Sequence, residues 1–523
     1  MVHTYAPRKP AQTLTHTTTV EKYVKKILAS RVYEAAVETP LQPALNLSRR
    51  LGNQVQLKRE DMQPVFSFKI RGAYNKIVQL SEQEQTRGVI AASAGNHAQG
   101  VAYSARKLGL KAVIVMGRNT PSIKVDAVRN LGAKVVLHGD AYDEAAAHAL
   151  ELAEEHGYVF VHPYDDVDVI AGQGTVGVEI INQHTGVPDA IFVPVGGGGL
   201  IAGISAYVKY LAPDTRVIGV EAEGSACLAA AMAAGRRVRL PFESLDLFAD
   251  GVSVAQVGKE TFKVARNHVD EVITVNTDEI CAAIKDLFDD TRSIAEPAGA
   301  LAVAGVKKYV EREGVENANL VAVVSGANVN FDRLRHISER AEVGEQREVL
   351  LGVTIPEQAG SFLRFCRALG KHPVSEFNYR YANDKEAHVY VGLQVAAGED
   401  REQLLEKLAG TSFAIENMTD NEAAKLHVRH MVGGRTLGSK SELLYRFEFP
   451  ERPGALLRFL IGLGGSWNIT MFHYRNHGAA WGRVLVGFEA DASDRKNLTE
   501  YLKRIGYRYW EETENPAYQL FLS

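Results

Sequence analysis

Residues 88–117, GVIAASAGNHAQGVAYSARKLGLKAVIVMG, indicate the fold class, because they predict a β-strand, a helix and a second β-strand in succession. The same alternation of short apolar runs and longer helical segments extends from QVQLKRE at 54–60 to LVAVVSGANVNF at 320–331. This pattern is typical of βαβ units, so we predict an α/β protein built on open, mostly parallel sheets. Such sheets bind ligands beyond the carboxyl ends of their strands.

The length and composition are those of a globular protein with more than one domain. The chain has 523 residues, whereas single cores stop growing near roughly 250–300 residues. A net charge of −4 and a charged content of 23% give no reason to expect nucleic acid as a partner. The three cysteines have neither metal-ligand nor disulfide spacing, which fits a reducing cytoplasm.

One uncharged stretch, Ala190 to Val208, is long enough to be mistaken for a membrane span. It contains Pro194 and several glycines, so we interpret it as a strand, a glycine loop and the start of a helix, and we expect no membrane contact. Residues 1–20 lack an apolar signal core and are expected to form a flexible tail.

A lysine with apolar neighbours is the first candidate for chemistry. Lys69 lies in VFSFKIRGAYNKI, residues 65–77, between Phe68 and Ile70. Lost hydration lowers the pKa of such an amine, which can then form a Schiff base with a carbonyl or with pyridoxal phosphate. The alternative is a lysine whose stem packs on its neighbours while its head reaches water.

The segment from Ser93 to Asn96 lies between a predicted strand and a helix. Backbone N–H groups at a helix N-terminus favour an anion such as a substrate carboxylate, and Asn96 could donate to a phenolate oxygen. The alternative is that Asn96 caps the helix. We expect His97 to be structural.

Four consecutive glycines, Gly196 to Gly199, form the next candidate, because backbone without Cβ atoms can curl around a phosphate. The loop also satisfies the dinucleotide pattern G-x-G-x-x-A, and Glu221 follows at about the offset of a ribose-binding acid. On these residues alone, a nicotinamide-dependent enzyme remains a serious alternative.

The C-terminal part contains an internal repeat, in which residues 350–370 match residues 444–464. Each copy predicts a strand, a Pro-x-x-x-Gly loop, a helix and two more strands. We therefore predict two tandem α+β domains at 349–432 and 443–523. A charged segment at 338–348 is predicted to link them to the α/β domain at 21–337.

The motifs SFKIRGA, SAGNHAQG, GGGGL, EPAGA and SGAN occur in the order found in the tryptophan-synthase-β-like, or fold type II, pyridoxal phosphate enzymes. From about residue 30 to residue 335 the chain most resembles the biosynthetic threonine deaminases, and the repeat resembles their two ACT-like regulatory domains. The resemblance implies a fold type II catalytic unit of two open parallel-sheet subdomains, and it weakens the dinucleotide interpretation.

The resemblance also implies a role for each matching residue. Lys69 would carry the cofactor and, once freed, remove the Cα proton of the substrate. Asn96 would meet the ring hydroxyl of the cofactor and Ser325 its pyridine nitrogen. The other implied contacts are to the cofactor from Phe68, Gly196, Gly197, Gly198, Gly199 and Leu200, and to the substrate from Ser93, Ala94 and Gly95.

The implied reaction converts L-threonine to 2-oxobutanoate and ammonia, and L-serine to pyruvate, as the first committed step of isoleucine biosynthesis. A neutral Ser325 would not force a proton onto the ring nitrogen, which favours β-elimination over transamination. Racemases of this family have a serine at the position of Ala94 and a metal-binding aspartate at that of Cys227, so we predict neither racemisation nor a metal.

Regulation is likewise implied by the resemblance, with isoleucine as inhibitor, valine opposing it, and a homotetramer as the assembly. The candidate effector loops run from Pro356 to Gly360 and from Pro450 to Gly454. Two alternatives stay open: another fold type II lyase or β-replacement enzyme, and an amino-acid sensor with a degenerate catalytic half.

Overall fold

A computed structural model of the chain describes most of its residues and separates them into two compact units, 1–341 and 342–523. The described residues are 13–118, 120–139, 142–241, 244–245, 248–331, 333–345, 347–370, 372–380, 385–395, 401–421, 424–425, 442–450, 455–463, 467–475, 481–490 and 493–515.

The first unit alternates strands with helices, as the sequence predicts. Its strands are β1 (Leu41–Pro43), β2 (Gln54–Arg59), β3 (Val89–Ala92), β4 (Ala112–Met116), β5 (Lys134–Leu137), β6 (Val159–Phe160), β7 (Ala190–Pro194), β8 (Arg216–Ala222), β9 (Glu271–Val275) and β10 (Asn319–Val324). Its helices are α1 (Thr13–Leu28), α2 (Leu45–Leu51), α3 (Lys69–Ile77), α4 (Glu82–Arg87), α5 (Asn96–Leu108), α6 (Ser122–Asn130), α7 (Tyr142–His156), α8 (Val167–Gln183), α9 (Gly199–Leu211), α10 (Cys227–Ala234), α11 (Lys259–His268), α12 (Thr277–Thr291), α13 (Pro297–Glu313) and α14 (Arg333–Gly344).

The strands of this unit form two open sheets. The larger sheet has the order β1-β2-β10-β7-β8-β9 and is parallel except for the antiparallel edge strand β1. The smaller sheet, β5-β4-β3-β6, is parallel throughout. Strands such as AVIVM in β4 are wholly buried, as expected where helices cover both faces. The prediction of two open parallel-sheet subdomains is confirmed.

The uncharged stretch from Ala190 to Val208 forms β7, the glycine loop and most of α9, as predicted. No helix in the described part of the chain is long and apolar enough to cross a membrane. The N-terminal prediction differs, because helix α1 begins at Thr13 within the expected tail, while residues 1–12 lie outside the described residues. The expected linker at 338–348 is helical as far as Gly344, and a strand begins at Glu348.

The second unit contains both repeats in a single antiparallel sheet. The first repeat consists of β11 (Glu348–Pro356), α15 (Ser361–Leu369), β12 (Val374–Arg380), β13 (Glu386–Gln394), α16 (Arg401–Ala409) and β14 (Ala414–Asn417). The second consists of β15 (Glu442–Pro450), α17 (Ala455–Leu463), β16 (Ile469–Arg475), β17 (Trp481–Glu489), α18 (Arg495–Ile505) and β18 (Arg508–Glu511). The predicted strand, helix, strand, strand order is confirmed, and each copy adds a further helix and strand.

The two repeats join through β12 and β16 in an eight-stranded sheet of order β14-β11-β13-β12-β16-β17-β15-β18. At the centre of this pairing Asn378 lies opposite His473, its own equivalent in the aligned segments FNYR and FHYR. Phe377 pairs with Tyr474, and Tyr379 pairs with Phe472. The register therefore has a local two-fold relation between the repeats.

Each repeat of this sheet contains the same hydrogen bond between a carboxylate and a hydroxyl group. The Glu348 carboxylate accepts a hydrogen bond from the Ser375 hydroxyl, and the Glu442 carboxylate accepts one from the Thr470 hydroxyl. We call these two contacts the carboxyl–hydroxyl pairs. They occupy equivalent positions, so the duplication preserved an internal contact as well as the strand order.

Candidate active site

The candidate residues follow the carboxyl ends of strands in both sheets of the first unit. Ser93 follows β3, the glycine loop follows β7, and Ser325 follows β10. The bridge between Ser67 and Gly326 brings the Lys69 segment to the end of β10, where the Phe68 amide donates to the Ser325 carbonyl at 3.2 Å. Residues that are distant in the sequence therefore lie beyond the carboxyl ends of strands, which is where this fold class binds ligands.

Lys69 is the first residue of α3, and its amine faces the interior of this site. The Nζ atom donates to the Pro163 carbonyl at 2.9 Å and lies 5.3 Å from the centre of the Phe68 ring. Burial lowers the pKa of Lys69 to about 8, although the Glu296 carboxylate partly opposes this shift. The alternative of an ordinary lysine head directed to water does not describe this amine, although part of the side chain is exposed.

A buried ionic contact anchors the helix that begins with Lys69. The Arg71 guanidinium donates two hydrogen bonds to Glu60, both at 2.7 Å, and two to Glu179, at 2.5 and 2.9 Å. We call these three residues the Arg71 clamp. All three side chains are at most 2% exposed, so the paired charges have almost no access to water. The clamp ties α3 to the end of β2 and to α8.

The Asn96 side chain makes contacts other than those of a helix cap. Gly95 is the cap residue of α5, and no side-chain bond caps that helix. Instead, Asn96 Nδ2 donates to Glu296 Oε1 at 2.6 Å, and Asn96 Oδ1 accepts from Asn328 Nδ2 at 2.7 Å. These neighbours fix the orientation of the amide and leave Nδ2 with a second hydrogen to donate. The capping alternative is therefore wrong.

Glu296 belongs to the EPAGA motif and lies at the core of this site. Burial raises the pKa of Glu296 to about 7, with the Asn96 hydrogen bond acting in the opposite direction. A Cβ atom on Gly326 of the SGAN motif would overlap the Glu296 carboxylate, so alanine at this position would displace that carboxylate. Glu296 and Asn328 lie within the EPAGA and SGAN motifs, but neither residue was predicted to belong to the site.

The glycine loop leads into α9 through Gly198, whose φ of +90° favours glycine. A Cβ atom on Gly197 would overlap the ring of Tyr164, which covers the loop. The first turn of a helix leaves amide N–H groups without partners inside the helix, so Gly199 and Leu200 offer donors to an anion.

The surroundings of Glu221 do not support the dinucleotide interpretation. Its carboxylate is buried and accepts hydrogen bonds from the backbone amides of Leu228 at 2.8 Å and Ala229 at 2.9 Å. A ribose-binding acid must instead reach the ligand. The offset that suggested a nicotinamide cofactor is thus a product of strand and helix lengths.

The remaining predicted residues have simple local surroundings. Ser325 Oγ is buried and donates to the Ala298 carbonyl at 3.3 Å. Ser93 Oγ accepts from the Gly95 amide at 3.2 Å, which shapes the loop before α5. His97 Nε2 contacts the Val161 carbonyl at 2.8 Å, and burial lowers the pKa of His97 to about 3, so this imidazole is neutral.

Residues 162–165, which carry no motif predicted from the sequence, complete the site. It supplies the Pro163 carbonyl to Lys69 and the Tyr164 ring to the glycine loop. His162 Nδ1 accepts from the Tyr164 and Asp165 amides, which holds the turn. The pattern HPYDD follows β6, a strand of only two residues, too short for periodicity to reveal.

These residues fit pyridoxal phosphate. The site combines an amine of lowered pKa, an amide with a spare donor and a hydroxyl at the end of β10. It also has a loop without Cβ atoms at a helix N-terminus, which suits a phosphate.

Comparisons with known proteins agree with this geometry. Residues 32–326 match the family of pyridoxal-phosphate-dependent enzymes, and residues 339–428 and 433–522 match the C-terminal regulatory domain of threonine dehydratase. The chain is 55% identical over 504 residues to the biosynthetic L-threonine dehydratase of Burkholderia multivorans, covering 96% of this chain and 99% of that protein. Identity to the biosynthetic L-threonine dehydratase of Escherichia coli is 52% over 503 residues, covering 96% and 97%.

A solved structure, the processed form of threonine deaminase isoform 2 from Solanum lycopersicum, matches with a TM-score of 0.61 at 50% identity. The match covers 62% of this chain and 94% of that one. Since the sequence identity extends over nearly the whole chain and both family matches agree with it, the chain belongs to the biosynthetic threonine dehydratases, a family of pyridoxal-phosphate-dependent lyases.

Proposed function

We propose that this protein converts L-threonine to 2-oxobutanoate and ammonia, and L-serine to pyruvate and ammonia, as the first committed step of isoleucine biosynthesis in the cytoplasm. The observation that carries the proposal is the Lys69 amine, held at 2.9 Å from the Pro163 carbonyl with a pKa lowered to about 8. Such an amine is both a nucleophile toward an aldehyde and a base near neutral pH.

The residues around Lys69 divide the binding of the cofactor and the substrate. Gly196 to Leu200 would hold the phosphate, and the spare Nδ2 hydrogen of Asn96 would be donated to the ring hydroxyl. Phe68 lines the site beside the amine. The backbone from Ser93 to Gly95 binds the substrate carboxylate at the start of α5. When bound, pyridoxal phosphate would draw electrons from the Cα atom of the substrate.

Proton transfer at Cα is the task of Lys69. With pyridoxal phosphate bound, the Lys69 amine would be placed to take the Cα proton of the substrate, and the β-hydroxyl would leave as water after taking up a proton. Ser325 favours this outcome because its hydroxyl is neutral and does not stabilise a proton on the ring nitrogen as a carboxylate would. A ring nitrogen without a proton would accept less of the negative charge from Cα, so departure of the β-hydroxyl would be favoured over transamination.

The test is turnover of L-threonine alone by the purified protein. We expect 2-oxobutanoate and ammonia in equal amounts, and covalent attachment of the cofactor to Lys69 after reduction with borohydride. In Lys69→Ala, turnover should fall by about 10²–10⁴-fold. A requirement for a second nucleophile would indicate a β-replacement enzyme, and cofactor binding without turnover would indicate a sensor.

The effector site is proposed at the loops after β11 and β15. In the first repeat, Glu357 accepts hydrogen bonds from the Tyr379 hydroxyl and from Asn468 Nδ2, the latter at 3.3 Å. Burial raises the pKa of Glu357. Asn468 belongs to the second repeat, so the loop from Pro356 to Gly360 offers polar groups from both copies for an amino-acid ligand.

The equivalent loop of the second repeat begins at Pro450, the last residue of β15, while Gly454 lies outside the described residues. We propose that isoleucine inhibits through these loops and that valine opposes it. Allostery requires the effector to bind two states of the enzyme with different affinity.

Ending the chain after Gly344, the last residue of α14, should separate catalysis from the response to isoleucine. The shortened chain should turn over L-threonine and lose its response to isoleucine, while the full chain keeps both. Equal inhibition of the two chains would contradict the assignment of the regulatory loops. We further propose a homotetramer, which light scattering of the full chain would measure directly.

A further inference from the structure

We propose that Thr261 is a positioning residue for the phosphate cradle, our name for the glycine loop and the first amides of α9. It would act through the Gly197–Gly198 peptide without touching the cofactor. This inference rests on the proposed role of the glycine loop. Thr261 lies in the first turn of α11, is fully buried, and belongs to none of the motifs identified in the sequence.

The contact on which the inference depends is between side chain and backbone. Thr261 Oγ1 donates to the Gly197 carbonyl at 2.8 Å, and the Gly258 amide donates to the same oxygen at 3.1 Å. Because the C=O and N–H groups of a trans peptide point in opposite directions, this pair of donors turns the Gly198 N–H away from α11. That N–H then joins the donors at the start of α9.

The preceding peptide is oriented in a similar, weaker way. Cys227 Sγ lies 3.5 Å from the Gly196 carbonyl, and burial raises the pKa of this thiol, so it remains protonated as a donor. A thiol is a weak donor, so we assign the larger effect to Thr261. Two successive carbonyls of the loop are thus held by side chains behind it.

The position of α11 is itself fixed by the segment that contacts Lys69. The Asp165 carboxylate accepts hydrogen bonds from three amides at the start of α11, those of Lys259 at 2.8 Å, Glu260 at 2.7 Å and Thr261 at 3.4 Å. Two residues before Asp165, the Pro163 carbonyl accepts from the Lys69 amine. One short segment therefore sets the distance between this amine and the helix that orients the phosphate cradle.

Substitution of Thr261 by valine tests this inference, because valine keeps the shape of threonine and removes the hydroxyl. The full-length chain, stripped of cofactor with hydroxylamine, is titrated separately with pyridoxal phosphate and with pyridoxal, which lacks the phosphate. We expect Thr261→Val to bind pyridoxal phosphate roughly five- to thirtyfold more weakly, with pyridoxal affinity unchanged within about twofold. Thr261→Ser, which retains the hydroxyl, should restore most of the affinity.

A matched control comes from another buried threonine. Thr215 Oγ1 donates to the Pro188 carbonyl at 2.8 Å, the same type of contact in the same unit, outside the glycine loop. Thr215→Val should leave both affinities unchanged within about twofold. If Thr261→Val folds poorly, Thr261→Ala makes the same test without a second buried methyl group.

The outcomes separate the inference from the function on which it rests. Wild-type protein that binds pyridoxal and pyridoxal phosphate equally would contradict the phosphate role of the loop. A wild type that prefers pyridoxal phosphate, together with Thr261→Val that keeps this preference, would overturn the role of Thr261 alone. Equal weakening of both ligands would also overturn it, because that result indicates general damage.

Discussion

The two units bury charged side chains in different ways. In the catalytic unit the Arg71 clamp joins α3 to Glu60, 11 positions away, and to Glu179, 108 positions away. In the regulatory unit the carboxyl–hydroxyl pairs occur twice, at equivalent positions of the repeats. The first unit also buries other ion pairs, such as Arg59 with Asp61, so its charges join several different elements, whereas the contact in the second unit recurs at equivalent positions of the two repeats.

The largest expected effect tests the clamp. Arg71→Met leaves the buried Glu60 without the Arg71 cation and leaves Glu179 with Lys58 alone, at 2.5 Å, so we expect a loss of about 3–5 kcal/mol in the free energy of unfolding. Urea unfolding, with hydrogen exchange to assign the transition to the catalytic unit, measures this loss. Arg129→Met is the control, because the Arg129–Asp126 pair is exposed and should contribute under about 1 kcal/mol. Similar losses in both variants would break the comparison.

The next effect tests the equivalence of the two pairs. A Cβ atom on Gly392 would overlap Ser375 Oγ, and one on Gly487 would lie 2.6 Å from Glu442 Oε1. Gly392→Ala and Gly487→Ala should each destabilise the regulatory unit by about 1–3 kcal/mol and by similar amounts.

Gly410→Ala is the control for this pair of substitutions, since its nearest contact, the Lys407 carbonyl at 3.4 Å, is an ordinary one. The midpoint of thermal unfolding measures all three variants. A large loss at one glycine and none at the other would show that the repeats have diverged internally.

The smallest effect concerns the charge balance of the catalytic site. Below pH 8 the Lys69 amine gains its proton and loses nucleophilicity, so the rate of cofactor capture should fall as pH decreases through about 8. The Glu296 carboxylate raises the pKa of Lys69. Glu296→Gln removes that charge, so the midpoint should move to lower pH, by less than the shift that burial produces.

Stopped-flow measurement of the rate at which cofactor-free protein binds pyridoxal phosphate, between about pH 6 and 10, gives this midpoint. The range covers both the lowered and the ordinary pKa of a lysine. Glu348→Gln, which alters a buried carboxylate of the regulatory unit, should leave the midpoint unchanged. A midpoint in Glu296→Gln at or above that of the wild type would contradict the pairing of Glu296 with Lys69.

The parts of the fold that could be predicted are those encoded locally. The repeat, the glycine loop and the strand–helix alternation each depend on neighbouring residues, and the structure has them where the sequence indicates. The contacts of Asn96 could not be predicted, because its partners Glu296 and Asn328 lie 200 and 232 positions away. Glu221 suggested a dinucleotide site because of its distance in sequence from the glycine loop. That distance does not determine which groups the carboxylate contacts, and these are the Leu228 and Ala229 amides.

The pairing of β12 with β16 has a consequence for the origin of the regulatory unit. A strand that lies opposite its own equivalent, as at Asn378 and His473, is the contact that two identical subunits make across a two-fold axis. Duplication thus enclosed a symmetric dimer within one polypeptide. Either half expressed alone would present this edge to solvent, and the surface that fits it best is a second molecule of the same half.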